Sequence, residues 1–251
     1  KNNITKKLSK SPEIYTLWEK YNNDIDIQQN YYKNSDAYKY QIPELETKRN
    51  KIKMNLYQLF VEQYYNLLKK DGVAGVVLPS GLYTDLGSKG LRDLLYDKNQ
   101  IITLYGFENR KGIFEEIHKQ FKFITLVFKK GNRTKSFRSA FYVTDVNKLK
   151  SLDDEGMMYD VEFIKQTSRI SLSILECKNE FEVNIIKKIA KFPSLSSPEW
   201  NLDFQREFNM TDDAPLFNTD GDGAILYEGK MIYQFDHLFE KPRYWIEFDK
   251  A

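Results

Sequence analysis

A single cysteine, Cys177, stands in 251 residues. It excludes an internal disulfide framework and a cysteine-rich zinc site, and it fits a reducing cytoplasm. Histidine is almost as scarce. His118 and His237 are the only two, too few for a histidine-based metal centre, so no metal is expected. No apolar run reaches the length of a membrane span and no signal peptide opens the chain, so no membrane association is expected. Charge of one sign is missing as well. The 38 Lys and Arg against 36 Asp and Glu leave a net charge of +2, and attraction to phosphate would need a local patch. Two motif-sized absences complete the set: no asparagine precedes any of the seven prolines, and no glycine-rich loop follows a first strand.

What is present is a globular composition, 41% hydrophobic and 29% charged, with 17 Tyr and 17 Phe. Aromatics at this level suit a core, a base-stacking surface, or both. The length allows one large domain, or one medium domain and part of a second. Residues 1–53 are polar and rich in lysine, with helical pieces expected at Pro12–Tyr21 and Pro43–Lys53 and a surface segment between them. A solvated connector and a DNA-contacting arm both suit that stretch.

From residue 54 the periodicities are clear. Leu56, Leu59, Phe60, Tyr64, Leu67 and Leu68 recur at three- and four-residue steps and predict one face of a helix. Lys69 and Lys70 suit its last turn, and Gly72 suits its stop. "VAGVVLP" (73–79) is short, apolar and closed by Pro79, which predicts a buried parallel strand. A helix over 86–97 points Leu91, Leu94 and Leu95 inward. Strands follow at 101–107 and 121–130. This alternation is that of an α/β sheet. The strand at 121–130 is joined to its predecessor by about a dozen loop residues and is expected to pair antiparallel. "SFRSAFYVTDV" suits one more strand, and residues 180–191 suit an amphipathic helix carrying Phe181, Val183, Ile185, Ile186 and Ile189. Irregular structure is expected from Pro193, with a domain boundary near 131–150.

Four blocks then stand in fixed order: "NLYQLFVEQYYNLLKKDGVAGVVLPSGLYTD" (55–85), "FENRKGIFEEIHKQFKF" (107–123), "REFNMTDDAPLF" (206–217) and "LYEGKMIYQFDH" (226–237). In this series the chain resembles the γ-class adenine-N6 DNA methyltransferases that are fused to a target-recognition region. That family includes type IIG restriction–modification enzymes and related methyltransferases of phage-defence systems. The resemblance covers residues 50 to 245. It implies an α/β fold, the C-terminal half of a Rossmann-like methyltransferase sheet with an antiparallel last strand, followed by the start of a mixed α+β target-recognition region. The corresponding divisions are a polar helical connector (1–53), the back half of the methyltransferase domain (54–140) and the beginning of the recognition region (141–251).

The resemblance also implies roles. Chemistry on a paired base requires flipping it into a pocket, and the family stacks the flipped base on an aromatic residue just before its last strand. Phe114 matches that position; taken alone, it reads equally as a core residue at the sheet edge. Pro79, Ser80 and Gly81 follow the carboxyl end of a strand, where ligands of open α/β sheets bind, and complete the expected target-base pocket. Asn109, Arg110 and Lys111 sit between strand and stacking residue, placed to reach DNA phosphates or to form a solvated loop. Lys230 suits a phosphate and Gln234 a base edge. With His237 they complete the expected DNA contacts, and a network at a domain junction is the other reading. Asn218, Asp220, Asp222 and Gly223 echo a calcium loop, but its twelfth position is Gly229 rather than a bidentate carboxylate, so a surface turn is expected.

The family binds S-adenosylmethionine through a glycine-containing loop and transfers the methyl group at an NPPY-type motif. Both are absent here, and the first residue is Lys1. The chain is therefore expected to be an interior fragment of a methyltransferase acting on adenine in double-stranded DNA. By itself it should be inactive, with most of the cofactor pocket upstream and the catalytic asparagine missing. Its truncated sheet is expected to expose an edge and to dimerise through it. The alternative is a DNA-binding specificity module that works with a separate catalytic subunit.

Overall fold

Residues 11–41, 54–195, 197–203 and 207–250 are described in the computed structural model of the chain. The chain falls into two compact units, Lys1–Phe192 and Pro193–Ala251. The expected boundary near 131–150 falls inside the first unit, because one strand within that range (Ser136–Val143) and one beyond it (Met157–Asp160) join the same sheet.

Helix α1 (Pro12–Asn34) opens with proline at its first position, where the missing N–H costs nothing. It runs through the segment expected to be a surface connector. No proline or glycine interrupts residues 13–34, and the side-chain amides of Asn22 and Asn34 donate back to the carbonyls of Trp18 and Asn30. No residue of α1 is buried. The helical piece expected at Pro43–Lys53 lies outside the described residues.

Helix α2 (Leu56–Leu67) starts at Asn55, whose backbone N–H donates to the side chain of Gln58 at 2.9 Å. Its buried face is not the apolar stripe. Leu56, Phe60 and Leu67 are exposed, while Gln58, Leu59, Val61 and Glu62 are buried. The cause is polar. The Glu62 carboxylate accepts hydrogen bonds from the Tyr40 backbone N–H and the Gln41 side chain, the latter at 2.6 Å. Gln58 donates to Ser88. Burying these groups with their partners fixes the helix in a rotation that hydrophobic periodicity does not encode.

Strand β1 (Val73–Pro79) leads through the single-turn helix α3 (Gly81–Thr84) to α4 (Lys89–Lys98), β2 (Asn99–Glu108) and β3 (Lys122–Lys130). As expected, β3 is antiparallel, and it lies between β1 and β2, paired to both. β1 departs from expectation. Its neighbour is antiparallel rather than parallel, its other edge has no partner among the described residues, and Val73 and Val77 are exposed. β4 (Ser136–Val143) then lies parallel to β2, and β5 (Met157–Asp160) antiparallel to β4, giving the order β1-β3-β2-β4-β5. Helices α5 (Leu149–Glu155) and α6 (Val161–Thr167) flank β5.

The main core lies on one sheet face. Leu91, Leu94 and Leu95 of α4 pack there, as their spacing predicts, with Leu126 and Phe128 of β3 and Tyr159 of β5. A smaller cluster of Tyr105, Phe107, Val143 and Leu152 lies apart from it. Helix α7 (Glu180–Ile189) is capped by Asn179, but only Val183 is buried; Phe181, Ile185 and Ile189 are exposed. In the second unit, β6 (Phe217–Asn218), β7 (Ala224–Ile225) and β8 (Trp245–Ile246) form a small sheet amid irregular chain. The Asn218–Asp222 stretch is a turn in which the Asn218 side chain donates to the Asp222 carbonyl.

The turn after β1 is held by Arg92 of α4. Its guanidinium is 1% exposed and donates to the carbonyls of Leu82, Asp85 and Ser171 at 2.8–3.0 Å. Each is a charge-assisted bond in a dry environment, and burial pulls the guanidinium pKa down against the opposing influence of Tyr96, Tyr57 and Asp85. Arg92→Met keeps the aliphatic stem and orphans three carbonyls. It is expected to cost about 2–4 kcal/mol in urea unfolding, whereas Arg133→Met, removing an exposed ion pair with Asp97, should cost less than about 1 kcal/mol. Equal losses would show that Arg92 does not anchor the turn.

Candidate functional site

An open cleft of about 600 Å³ lies at the carboxyl end of β1. Pro79, Ser80 and Gly81 form one wall, as their position after the strand suggested. Asn55 and Tyr57 reach it from the start of α2, Asp85 from the turn held by Arg92, and His118, Gln120, Phe121 and Lys122 from the approach to β3. The walls are joined where the Ser80 N–H donates to the Lys122 carbonyl at 3.2 Å.

Gly81 is a packing requirement in this cleft. A Cβ there would overlap a carboxylate oxygen of Asp85 and would lie 2.7 Å from the Tyr57 hydroxyl. Removing the side chain at 81 therefore brings an acceptor and a phenol together on the cleft wall. Burial raises the pKa of Tyr57, which keeps it a neutral hydrogen-bonding group. Its hydroxyl lies 3.3 Å from Ser88 Oγ.

Lys122 joins the cleft to a charged network. Its ammonium is 2.5 Å from Glu176 and 3.8 Å from Glu108, and it lies over the Tyr142 ring at 4.9 Å. The Tyr83 hydroxyl also donates to Glu176. Burial, then this bond, pushes the Tyr83 pKa upward. Lys122 thus lines the cleft with its charge shared between two carboxylates.

The other expected residues are placed differently. Asn109 is fully buried. Its amide donates to the carbonyls of Phe114 and Ile117 at 2.9 and 2.7 Å, and its carbonyl oxygen accepts the Phe114 N–H at 2.8 Å. It pins the loop from within instead of facing outward. Phe114 is 43% exposed and packs edge-to-face on Phe123 at 4.9 Å. It is not among the lining residues; the aromatic that faces the cleft is Phe121, 62% exposed. Arg110 is exposed and paired to Glu108, and Lys111 lies 3.9 Å from Asp145. In the second unit Gln234 and His237 are exposed, and Lys230 lies 3.3 Å from Glu228.

Asn55, Tyr57, Asp85, His118 and Phe121 were not singled out as ligand-facing from the sequence. Asn55 carries a usable signal, since a helix start that immediately precedes a strand-carrying unit lies near that strand's end. For His118 and Phe121, on a segment that also carries Phe114 and Phe123, no pattern distinguishes facing in from facing out.

Residues 16–114 match the model of the Eco57I restriction-modification methylase family, a span that includes α2, β1, the Ser80–Asp85 turn and β2. No curated protein sequence matches the chain. Among solved structures, the chain is similar to the M protein of the type I restriction enzyme EcoKI, at 17% identity and a TM-score of 0.41, over 55% of this chain and 41% of that one. A chain of a type I R-M system complex gives 14% and 0.39 over 56% and 38%. The type IIG restriction endonuclease BpuSI gives 20% and 0.37 over 48% and 16%. The chain thus spans less than half the length of each.

Asn109→Leu removes three hydrogen bonds inside the loop and leaves the Phe114 N–H without its acceptor. It should destabilise the protein by about 2–3 kcal/mol and speed amide hydrogen exchange across 112–121. Exchange unchanged in that loop would contradict the pinning role.

Proposed function

We propose that this chain is part of a site-specific DNA methyltransferase that transfers a methyl group from S-adenosylmethionine to adenine N6 in duplex DNA. The parent protein acts in the cytoplasm, in a restriction–modification or phage-defence system. The observation that carries the reading is the coincidence of the methylase family match over 16–114 with the cleft at the end of β1. That match covers β1 and β2 of the sheet and none of the second unit, which favours an enzyme over a specificity module working in trans.

In this reading Pro79, Ser80 and Gly81 form the wall of the target-base pocket, and Phe114, on the loop that Asn109 holds outside the cleft lining, is the residue on which the flipped base stacks. Arg110 and Lys111 contact flanking phosphates after exchanging their carboxylate partners for them. Lys230, Gln234 and His237 contact DNA from the second unit, the start of the target-recognition region. Charge supports DNA at the first unit. Residues 1–192 hold 33 of the 38 Lys and Arg but 24 of the 36 Asp and Glu, so a field far stronger than the net +2 faces a polyanion there.

The described residues do not fit the cofactor. Three strands run into helical turns, β1 into α3, β5 into α6, and β2 into the 3-10 turn Asn109–Lys111, whose glycine, Gly112, follows the turn rather than preceding it. The second junction has no glycine, and the free face of Gly81 at the first is filled by Asp85 and Tyr57. The cofactor and the transfer step are therefore assigned to residues outside these, and because no asparagine precedes a proline in the sequence, the 251-residue chain alone is expected to be inactive. The open edge of β1 is where a further strand, or a second copy of the chain, would pair.

The test is methyl transfer from labelled S-adenosylmethionine to unmodified duplex DNA. The whole reading frame that encodes this chain should produce N6-methyladenine, and the 251-residue chain should not. Phe114→Ala in the whole protein should lose the stacking contribution of about 1–3 kcal/mol. An active 251-residue chain, or no methyladenine from the whole protein on mixed genomic DNA, would overturn the proposal.

A further inference from the structure

Phe235 is fully exposed, and its backbone is in the left-handed region with φ of +62°. It occupies the third position of a tight turn closed on both sides: the Tyr233 N–H donates to the Asp236 carbonyl at 2.8 Å, and the Asp236 N–H donates back at 3.0 Å. Glycine or asparagine is the usual choice at such a position. A phenylalanine there is disfavoured twice, by its backbone and by its exposed ring. Nothing in the turn requires it.

The turn is also rigidly mounted. The rings of Tyr233 and Phe239 stack at 4.9 Å across its base. The Phe239 N–H donates to the carbonyl of Met231, which is completely buried. An Asp236 carboxylate oxygen accepts the Leu238 N–H at 2.9 Å. A strained, exposed apolar residue on a fixed support is the arrangement expected where the surface is built to insert into something.

Local charge indicates what. Residues 193–251 carry twelve Asp and Glu against five Lys and Arg, yet residues 230–243 around the turn hold three of those five, Lys230, Lys241 and Arg243, and only two acids, Asp236 and Glu240; Lys230 lies 3.3 Å from Glu228. Gln234 and His237 flank the ring with exposed polar groups. An exposed aromatic residue on a stretch of slight net positive charge, in an otherwise acidic unit, suits a polyanion with stacked aromatic rings. We infer that Phe235 is a stacking wedge that inserts against the bases of DNA, with its turn as the mount. This rests on the reading that the second unit contacts DNA and adds to it the residue and the mode of contact.

The test uses the 251-residue chain and a 30-base-pair mixed-sequence duplex at low salt, where phosphate contacts are strongest. Phe235→Ala should weaken binding about 5- to 150-fold. Phe235→Gly should weaken it equally while melting at or above the native temperature, because glycine suits the φ; a merely structural residue would lose both. Phe235→Trp should retain binding, and its added emission should be quenched when DNA is bound. If the native chain binds the duplex but the Ala and Gly variants bind equally well, or if the Trp emission is unchanged at saturation, the wedge is overturned while the DNA reading stands. If the native chain does not bind the duplex, the underlying DNA reading falls with it.

Discussion

The geometry of the cleft depends on one buried guanidinium. Arg92 sits within an otherwise leucine-rich face of α4, where an apolar residue would pack at no desolvation cost. It instead gathers the carbonyls of Leu82, Asp85 and Ser171 onto one planar group. These belong to the turn after β1 and to a distant stretch of chain beyond α6. A hydrophobic contact could draw these segments together, but it would leave their relative orientation loose. The forked donors of arginine fix direction as well as distance.

The same device recurs. Glu62 fixes the Tyr40 backbone and the Gln41 side chain on α2, and Asn109 fixes the loop before β3. In each case a buried polar side chain bonds to backbone groups of a segment with no ladder of its own, satisfying atoms that would otherwise be orphaned. Irregular chain around the cleft is therefore held by a few point attachments, while the sheet beneath it is held by area. Close approach completes the arrangement. At Gly90 a Cβ would overlap the Tyr40 carbonyl oxygen, so the segment pinned by Glu62 also rests directly on α4.

This division explains what could be read from the sequence. The inward leucines of α4, the antiparallel β3 and the irregular second unit follow from hydrophobic period, loop length and breaker residues, and all were legible. The burial of α2 was not, because Gln58 and Glu62 replace apolar residues on its inner face and shift the apparent stripe. The length of α1 was hidden by its polarity, since an unburied helix has no amphipathic period to detect. At the cleft, Pro79, Ser80 and Gly81 were legible from their place after a strand. Asn109 was legible as polar but not as internal, because its partners are backbone groups that no sequence pattern marks. Phe235 carried no signal at all, because a φ of +62° is visible only once the turn is built.

The place of β3 has a consequence for how the molecule comes into being. β1 and β2 leave the ribosome first, but each pairs with β3, and they do not pair with each other. Until residue 130 has emerged, two apolar strands wait without the partner that joins them. Pairing between β1 and β3 then closes a loop of more than forty residues, which is slow by comparison with a local hairpin. The nascent chain therefore passes through a stage in which its most hydrophobic strands are unprotected. The exposed valines of β1 would be the first surface recognised by a chaperone or by a neighbouring chain.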